Sequence, residues 1–242
     1  MHDTHPPDPE HEERPAGRLH LFMGVELELA PDVLVPRAET ELLGRRAVAA
    51  LHERHADSIV VDMCCGSGNL ALAIADAVPS ARVWGADLTD GTVALARRNT
   101  RRRGLDGRVT IRQGDLFGAL EGDGLESRVD MVVCNPPYIS TARLEGDSAH
   151  LLESEPREAF DGGPYGISIQ QRLIREAAGV LKPGGWLMFE FGEGQDRQVA
   201  ALLARAKAYT PVAFAHDEAG RPRVAMVRRL EDHAPAASGG GA

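Results

Sequence analysis

Cysteine is scarce in this chain of 242 residues: there are three, Cys64, Cys65 and Cys134, each inside an apolar, strand-like segment. That placement suits buried, reduced thiols and not a disulfide framework. Long apolar runs are missing as well. No stretch is long enough to cross a bilayer, and no basic start followed by an apolar run opens the chain, so it reads as cytoplasmic with no membrane partner. An excess of positive charge is also absent. With 27 Lys and Arg against 36 Asp and Glu, and a formal net charge of -9, the chain is poorly suited to gripping a nucleic-acid backbone over a large surface. Paired metal ligands are wanting too: "HERH", with His52 and His55, has no second ligand pair, so no metal site is expected. Neither an interdomain linker nor an internal repeat is visible.

What is present is the composition of one globular domain, 43% hydrophobic and 26% charged, with enough chain to bury a substantial core. Residues 1–17, rich in Pro, His and acid, are expected to be a solvated tail, and 231–242, "EDHAPAASGGGA", another. Residues 18–57 should pack beside the main domain, 58–230. In that domain short apolar runs at 58–64, 81–87, 109–113, 129–134 and 185–191 alternate with helical patterns such as "NLALAIADAV" and "SIQQRLIREAAGVL". Two last strands, "PVAFAHD" and "RPRVAMVRRL", are close enough to form an antiparallel hairpin at the sheet edge. The prediction is an α/β fold: a doubly wound, mostly parallel seven-stranded sheet ending in that hairpin.

Successive strand ends carry groups suited to a ligand. After the first comes "VDMCCGSGNL", where Asp62, Cys64, Cys65, Gly66, Ser67 and Gly68 lead into a helix and small residues let backbone N–H groups approach a nucleotide. By itself such a loop also fits a tight strand-to-helix turn with no ligand. The second strand ends in "GADLT", placing Asp87 and Leu88 about twenty residues on, where a carboxylate can accept from both ribose hydroxyls. At the third, "GDLF", Asp115 can accept from an adenine amino group while Leu116 and Phe117 offer apolar contact to the ring. Either acid could instead be a simple strand-end cap, and a dehydrogenase would share the first loop.

The fourth strand end, "NPPY", separates these readings. A residue before proline is held extended, and the second proline stiffens the turn, so Asn135 and the Pro136 carbonyl become two fixed acceptors beside Pro137 and Tyr138. They match the two hydrogens of an NH2 group on a planar carbon. Such a nitrogen is a poor nucleophile because its lone pair is delocalised; as it attacks, it gains positive charge, and acceptors on its hydrogens bind the transition state best. Tyr138 can stack on the planar group, and a reactive sulfonium methyl would need little beyond alignment.

With "VDMCCGSG", "GADL", "GDLF" and "NPPY" in this order, the chain resembles the class I S-adenosylmethionine-dependent methyltransferases, whose fold is Rossmann-like. Through "VLVPRAETELL" (Val33 to Leu43) and "NPPYIS" followed by "EPREAFDGGPYG" (Glu155 to Gly166), it is similar to the HemK/PrmC family, which methylates the side-chain amide of glutamine in peptide-chain release factors. That resemblance spans roughly residues 20–230. It implies S-adenosyl-L-methionine as cofactor, lined by Cys64 to Gly68, Asp87, Leu116 and Asn135, with Asn135 to Tyr138 holding the substrate amide and Arg37, Glu39 and Thr40 shaping the pocket. The alternative for Arg37 is an ordinary surface ion-pair partner, with the pocket-shaping reading preferred.

Three departures from the family pattern stand out. Cys64 replaces the first glycine of "D-x-G-x-G-S-G", so the backbone there is expected to avoid conformations reserved for glycine. Ala38 replaces a proline. The region before the catalytic core reads as a short polar tail where the family carries a helical domain that helps recognise the protein partner. The acceptor is therefore open between a protein glutamine and a small-molecule amide or guanidino group, such as free arginine in specialised metabolism. A nucleic-acid amino methyltransferase would need a target-recognition region and a basic channel, and the clearest basic run, "ARRNTRRRG", reads as a solvated helix face. A non-catalytic cofactor-binding protein would have little use for the intact hook.

Overall fold

The computed structural model describes residues 18–31, 33–54, 57–146 and 157–231; the tail residues 1–17 and 232–242, His55, Glu155 and Pro156 lie outside these. Two short strands, β1 (Leu19–Phe22) and β2 (Val25–Glu28), pair as an antiparallel hairpin. Its turn residues Met23 and Gly24 have φ of 48° and 84°, a left-handed pair that matches the twist of a tight hairpin. Sequence reading missed this element because methionine stands where Asn or Asp would signal the turn. Helix α1 (Ala38–His52) follows, with Glu39 and Glu41 in its first turn favouring the helix dipole and Thr40, Leu43, Ala47 and Leu51 on its buried face.

Strands and helices then alternate: β3 (Ser58–Met63), α2 (Asn69–Ala77), β4 (Ala81–Asp87), α3 (Asp90–Arg102), β5 (Val109–Gln113), β6 (Val129–Cys134), α4 (Thr141–Glu145), α5 (Ser168–Val180), β7 (Leu181–Glu190), α6 (Asp196–Ala206), β8 (Ala213–His216) and β9 (Pro222–Arg228). β7 begins four residues ahead of the expected 185, because Leu181 already pairs with Val129 across a register shift.

The main sheet has seven strands in the order β5-β4-β3-β6-β7-β9-β8. β5, β4, β3, β6 and β7 pair in parallel, and β9 runs antiparallel between β7 and β8. The expected mostly parallel sheet with a C-terminal hairpin is what the structure has. Strand order reverses at β3 and β6, which opens a crevice beyond their carboxyl ends. Register decides what lies there: Met63 is level with Ala86 and with Cys134, Cys134 with Phe189, and Asp87 with Gln113. The residues just past each strand therefore meet at one edge.

Every residue of β6 is buried, as a central parallel strand covered on both faces requires. One face packs Val60, Met131 and Val133 against Leu43, Leu72 and Ile74; the other packs Val61, Val132 and Phe189 against Leu173, Val199 and Leu203. Asn99, fully buried on α3, donates to the carbonyls of Glu28 (3.1 Å) and Ser67 (2.9 Å) and accepts from Glu28 N–H (2.8 Å). One side chain thus joins the N-terminal hairpin to the glycine loop.

Candidate active site

Past the carboxyl ends of β3, β4, β5 and β6 lies a cleft of about 820 Å³, a size typical of ligand sites. Cys64, Gly66, Asp87, Leu88, Asp115, Leu116, Asn135 and Pro137, all singled out from sequence, line it. Asp87 is anchored on three sides: Oδ2 accepts from Gly66 N–H at 2.8 Å, and Oδ1 from Leu88 N–H at 2.8 Å and the Thr92 hydroxyl at 2.7 Å. A carboxylate offers about four acceptor positions, so one remains on Oδ2. Leu88 is 55% exposed beside it, an apolar side chain presented to the cleft.

The loop itself corrects one expectation. Cys64 has φ of 59°, inside the left-handed region that glycine adopts freely. A single residue of this kind costs about 1–3 kcal/mol, and such strain concentrates at functional sites. The next residue is pinned, since Cys65 N–H donates to the Ala86 carbonyl at 3.0 Å. Gly68, at φ 82°, caps α2 without a side chain, and Asp62 caps it instead, Oδ2 accepting from Ala71 N–H at 2.9 Å.

Asp62, Cys65, Ser67 and Gly68 lie buried behind the loop and do not line the cleft. Asp62 Oδ1 and Ser67 Oγ have no protein partner. Burial pushes the Asp62 carboxyl up from 3.8 to about 8, opposed by the Ala71 N–H and reinforced by the charge of Asp87. Burial likewise raises the thiols of Cys65 and Cys134. Phe117, expected against the ligand ring, is half-buried against the core and does not line the cleft, whereas Leu116, in the same core cluster, does. Asp115 Oδ1 meets Arg172 at 3.0 Å.

The hook stands where this cleft meets a pocket of about 40 Å³ lined by Leu34, Arg37, Asn135, Pro136, Tyr138 and Phe160, among others. Arg37 lies over the Phe160 ring, 5.7 Å from its centre. Thr40 sits behind the hook: its hydroxyl accepts from Asn135 Nδ2 at 3.1 Å and donates to Glu190 Oε2 at 2.8 Å. The Tyr138 hydroxyl donates to Glu190 Oε1 at 3.1 Å. Gln195 Nε2 donates to the Tyr138 carbonyl at 2.9 Å, while the Pro136 carbonyl takes no part in these bonds. Glu39 lies in the first turn of α1, outside both cavities.

Sequence reading passed over Glu190, which is 1% exposed at the end of β7. Burial raises its carboxyl, with the bonds from Thr40 and Tyr138 and the charge of Arg223 opposing. Burial and the Glu190 charge also raise the Tyr138 phenol, so it remains a donor. The far wall of the cleft was missed as well: Thr141, Arg157, Asp161, Ser168 and Ile169 contribute to it. Asp161 organises that wall, accepting from the Thr141 hydroxyl at 2.7 Å and from Gly163 N–H and Arg157 at 3.0 Å. The signal lay in "EPREAFDGGPYG".

The methyltransferase domain family matches residues 54–222. A release factor glutamine methyltransferase of Moorella thermoacetica is 38% identical over 211 residues, 87% of this chain and 72% of the relative. This chain belongs to that methyltransferase family. A second relative, the 4-amino-L-phenylalanine/4-methylamino-L-phenylalanine methyltransferase of Streptomyces pristinaespiralis, is 40% identical over 75% of this chain, which spans 61% of that protein. A methyltransferase crystal structure from Pyrococcus furiosus has the same fold, with a TM-score of 0.60 at 16% identity over 86% of this chain and 90% of that one. The chain is therefore a methyltransferase, and the cleft and hook are where its chemistry has to be sought.

Proposed function

We propose that this enzyme uses S-adenosyl-L-methionine to methylate a planar NH2 group, and that its acceptor is the side-chain amide of a glutamine in a peptide-chain release factor. The observation that carries this reading is the fixed amide of Asn135. Its Nδ2 is engaged by Thr40, so Oδ1 is left for an incoming N–H.

The large cleft fits the cofactor in size and in its groups. Asp87 keeps an acceptor position for a ribose hydroxyl, and Leu88 offers an apolar surface to a base. A Cβ on Gly66 would meet nothing within 4 Å, so the loop backbone is open to a ligand. Bound there, the cofactor would supply an electrophilic methyl carried on a sulfonium, with the neutral sulfide as leaving group.

On the acceptor side, Asn135 Oδ1 and the Pro136 carbonyl take the two N–H bonds of the planar nitrogen. Both are acceptors only, so they grip harder as that nitrogen becomes cationic and sheds a proton to solvent. Tyr138, held by Glu190, provides a ring beside the planar group. The pocket on this side is small, about 40 Å³, so it takes the tip of a side chain and leaves the bulk of the acceptor outside, as a protein substrate requires.

A second reading, a small-molecule acceptor, has its own support: a relative 40% identical over 186 residues is a 4-amino-L-phenylalanine/4-methylamino-L-phenylalanine methyltransferase. A nucleic acid is disfavoured by α3, where Arg98, Arg102 and Arg103 face Glu28, Glu26 and Asp76 at 3.6, 2.9 and 3.4 Å, and Arg97 donates to the Ile111 carbonyl. The deciding experiment incubates methyl-labelled cofactor with release factors, free glutamine, arginine and 4-amino-L-phenylalanine, then locates the label by mass spectrometry. Label on a release-factor glutamine nitrogen is expected. Label on a small amine alone would transfer the assignment to the second reading, and label on oxygen or sulfur would end both.

A further inference from the structure

Asn135 can serve as an acceptor only if its amide is turned the right way. The two ends of an amide are nearly the same shape, so packing alone does not choose between them. Something must fix the direction, and neither the hook's own sequence nor its prolines can do so.

From the chain Asn135–Thr40–Glu190 we infer that Glu190 is a positioning residue which sets the polarity of the hook, acting through the Thr40 hydroxyl. A hydroxyl has one proton. Glu190 Oε2, 2.8 Å away, takes that of Thr40, leaving only lone pairs facing Asn135. Only an N–H can satisfy them, so Nδ2 turns to Thr40 at 3.1 Å and Oδ1 to the substrate. The other carboxylate oxygen holds the Tyr138 hydroxyl at 3.1 Å. One buried group from β7 thus governs both side chains of the hook, although Thr40 lies 95 residues from Asn135 and Glu190 lies 52 from Tyr138. The charged groups sensed by Glu190 are Arg223 and Glu39. Arg223 lies on β9, whose Val224 pairs with Glu190, and so helps keep the carboxylate ionised.

This inference rests on the reading of Asn135 as an amide acceptor, and the tests separate the two. Neutron diffraction from deuterium-exchanged crystals reports the amide direction without any substrate: deuterons on the Asn135 atom facing Thr40 are expected, and deuterons on the atom facing the cleft would overturn the relay. In turnover with a release factor, Thr40→Val, which keeps the shape and removes the hydroxyl, should lower kcat about tenfold to a hundredfold with cofactor affinity unchanged. Thr40→Ser should restore most of that loss. Glu190→Gln offers one acceptor to two donors and should fall between them, and combining it with Thr40→Val should cost less than the sum of the separate losses. A Thr40→Ser enzyme as impaired as Thr40→Val, or fully additive losses, would reduce these residues to packing. If Asn135→Ala is silent, the acceptor reading fails; if Asn135→Ala is disabled while Thr40→Val is not, only the relay fails.

Discussion

The two halves of the site are built in opposite ways. Asp87 is held by near neighbours: its carboxylate accepts from Gly66 and Leu88, on the turns that follow β3 and β4, and from Thr92 in the first turn of α3. The hook is held from afar, by Thr40 on α1 and Glu190 on β7. A cofactor half stiffened by its own backbone can be shared by enzymes of many specificities. An acceptor half assembled from distant side chains can be retuned without disturbing the first.

That contrast can be broken most forcefully at Asn135. Asn135→Ala should lower turnover about a hundredfold to a thousandfold while calorimetry finds cofactor affinity within several-fold of the parent; a parallel loss of affinity would merge the two halves. Asp87→Ala should do the reverse, weakening cofactor binding about tenfold to a hundredfold and leaving saturated turnover largely intact, as equilibrium dialysis and steady-state rates would show.

A smaller effect belongs to Asp62, whose carboxyl is pushed up from 3.8 to about 8 by burial. The folded state then holds a proton that the unfolded chain releases above about pH 4. Stability is fully present below that pH and is lost as the pH rises to about 8. Thermal unfolding at pH 5 and pH 8 should show this fall, and Asp62→Asn should flatten it. The smallest change is at Cys64: replacing it with glycine relieves its left-handed backbone and should stabilise the fold by about 1 kcal/mol after the entropy of the added glycine is subtracted, measurable by urea unfolding.

The same local-versus-distant division explains what could be read from the sequence. The parallel strands, the terminal hairpin, Asp87, Leu88, Leu116 and the hook announce themselves through short patterns, each a few residues wide. Thr40 was drawn in by the "PRAET" resemblance, but its bond to Asn135 exists only once α1 packs behind β6. Glu190 looked like one polar residue interrupting "LMFEF", and Asn99 like part of a solvated basic helix; each is nearly or fully buried. Leu116 and Phe117 read alike in "GDLF", but only Leu116 lines the cleft. Cys64 was misjudged because a rule about preference cannot foresee where neighbouring bonds override it.

Asn99 carries a practical lesson for anyone trimming this protein. The recognised methyltransferase segment starts at residue 54, yet two of the three bonds made by that amide go to Glu28, and Thr40 also lies upstream. A fragment cut to the recognised segment would bare the surface that Phe22, Val25 and Leu27 now cover, leave the loop's tether half undone, and remove the hydroxyl behind the hook. The smallest piece worth expressing therefore begins before β1.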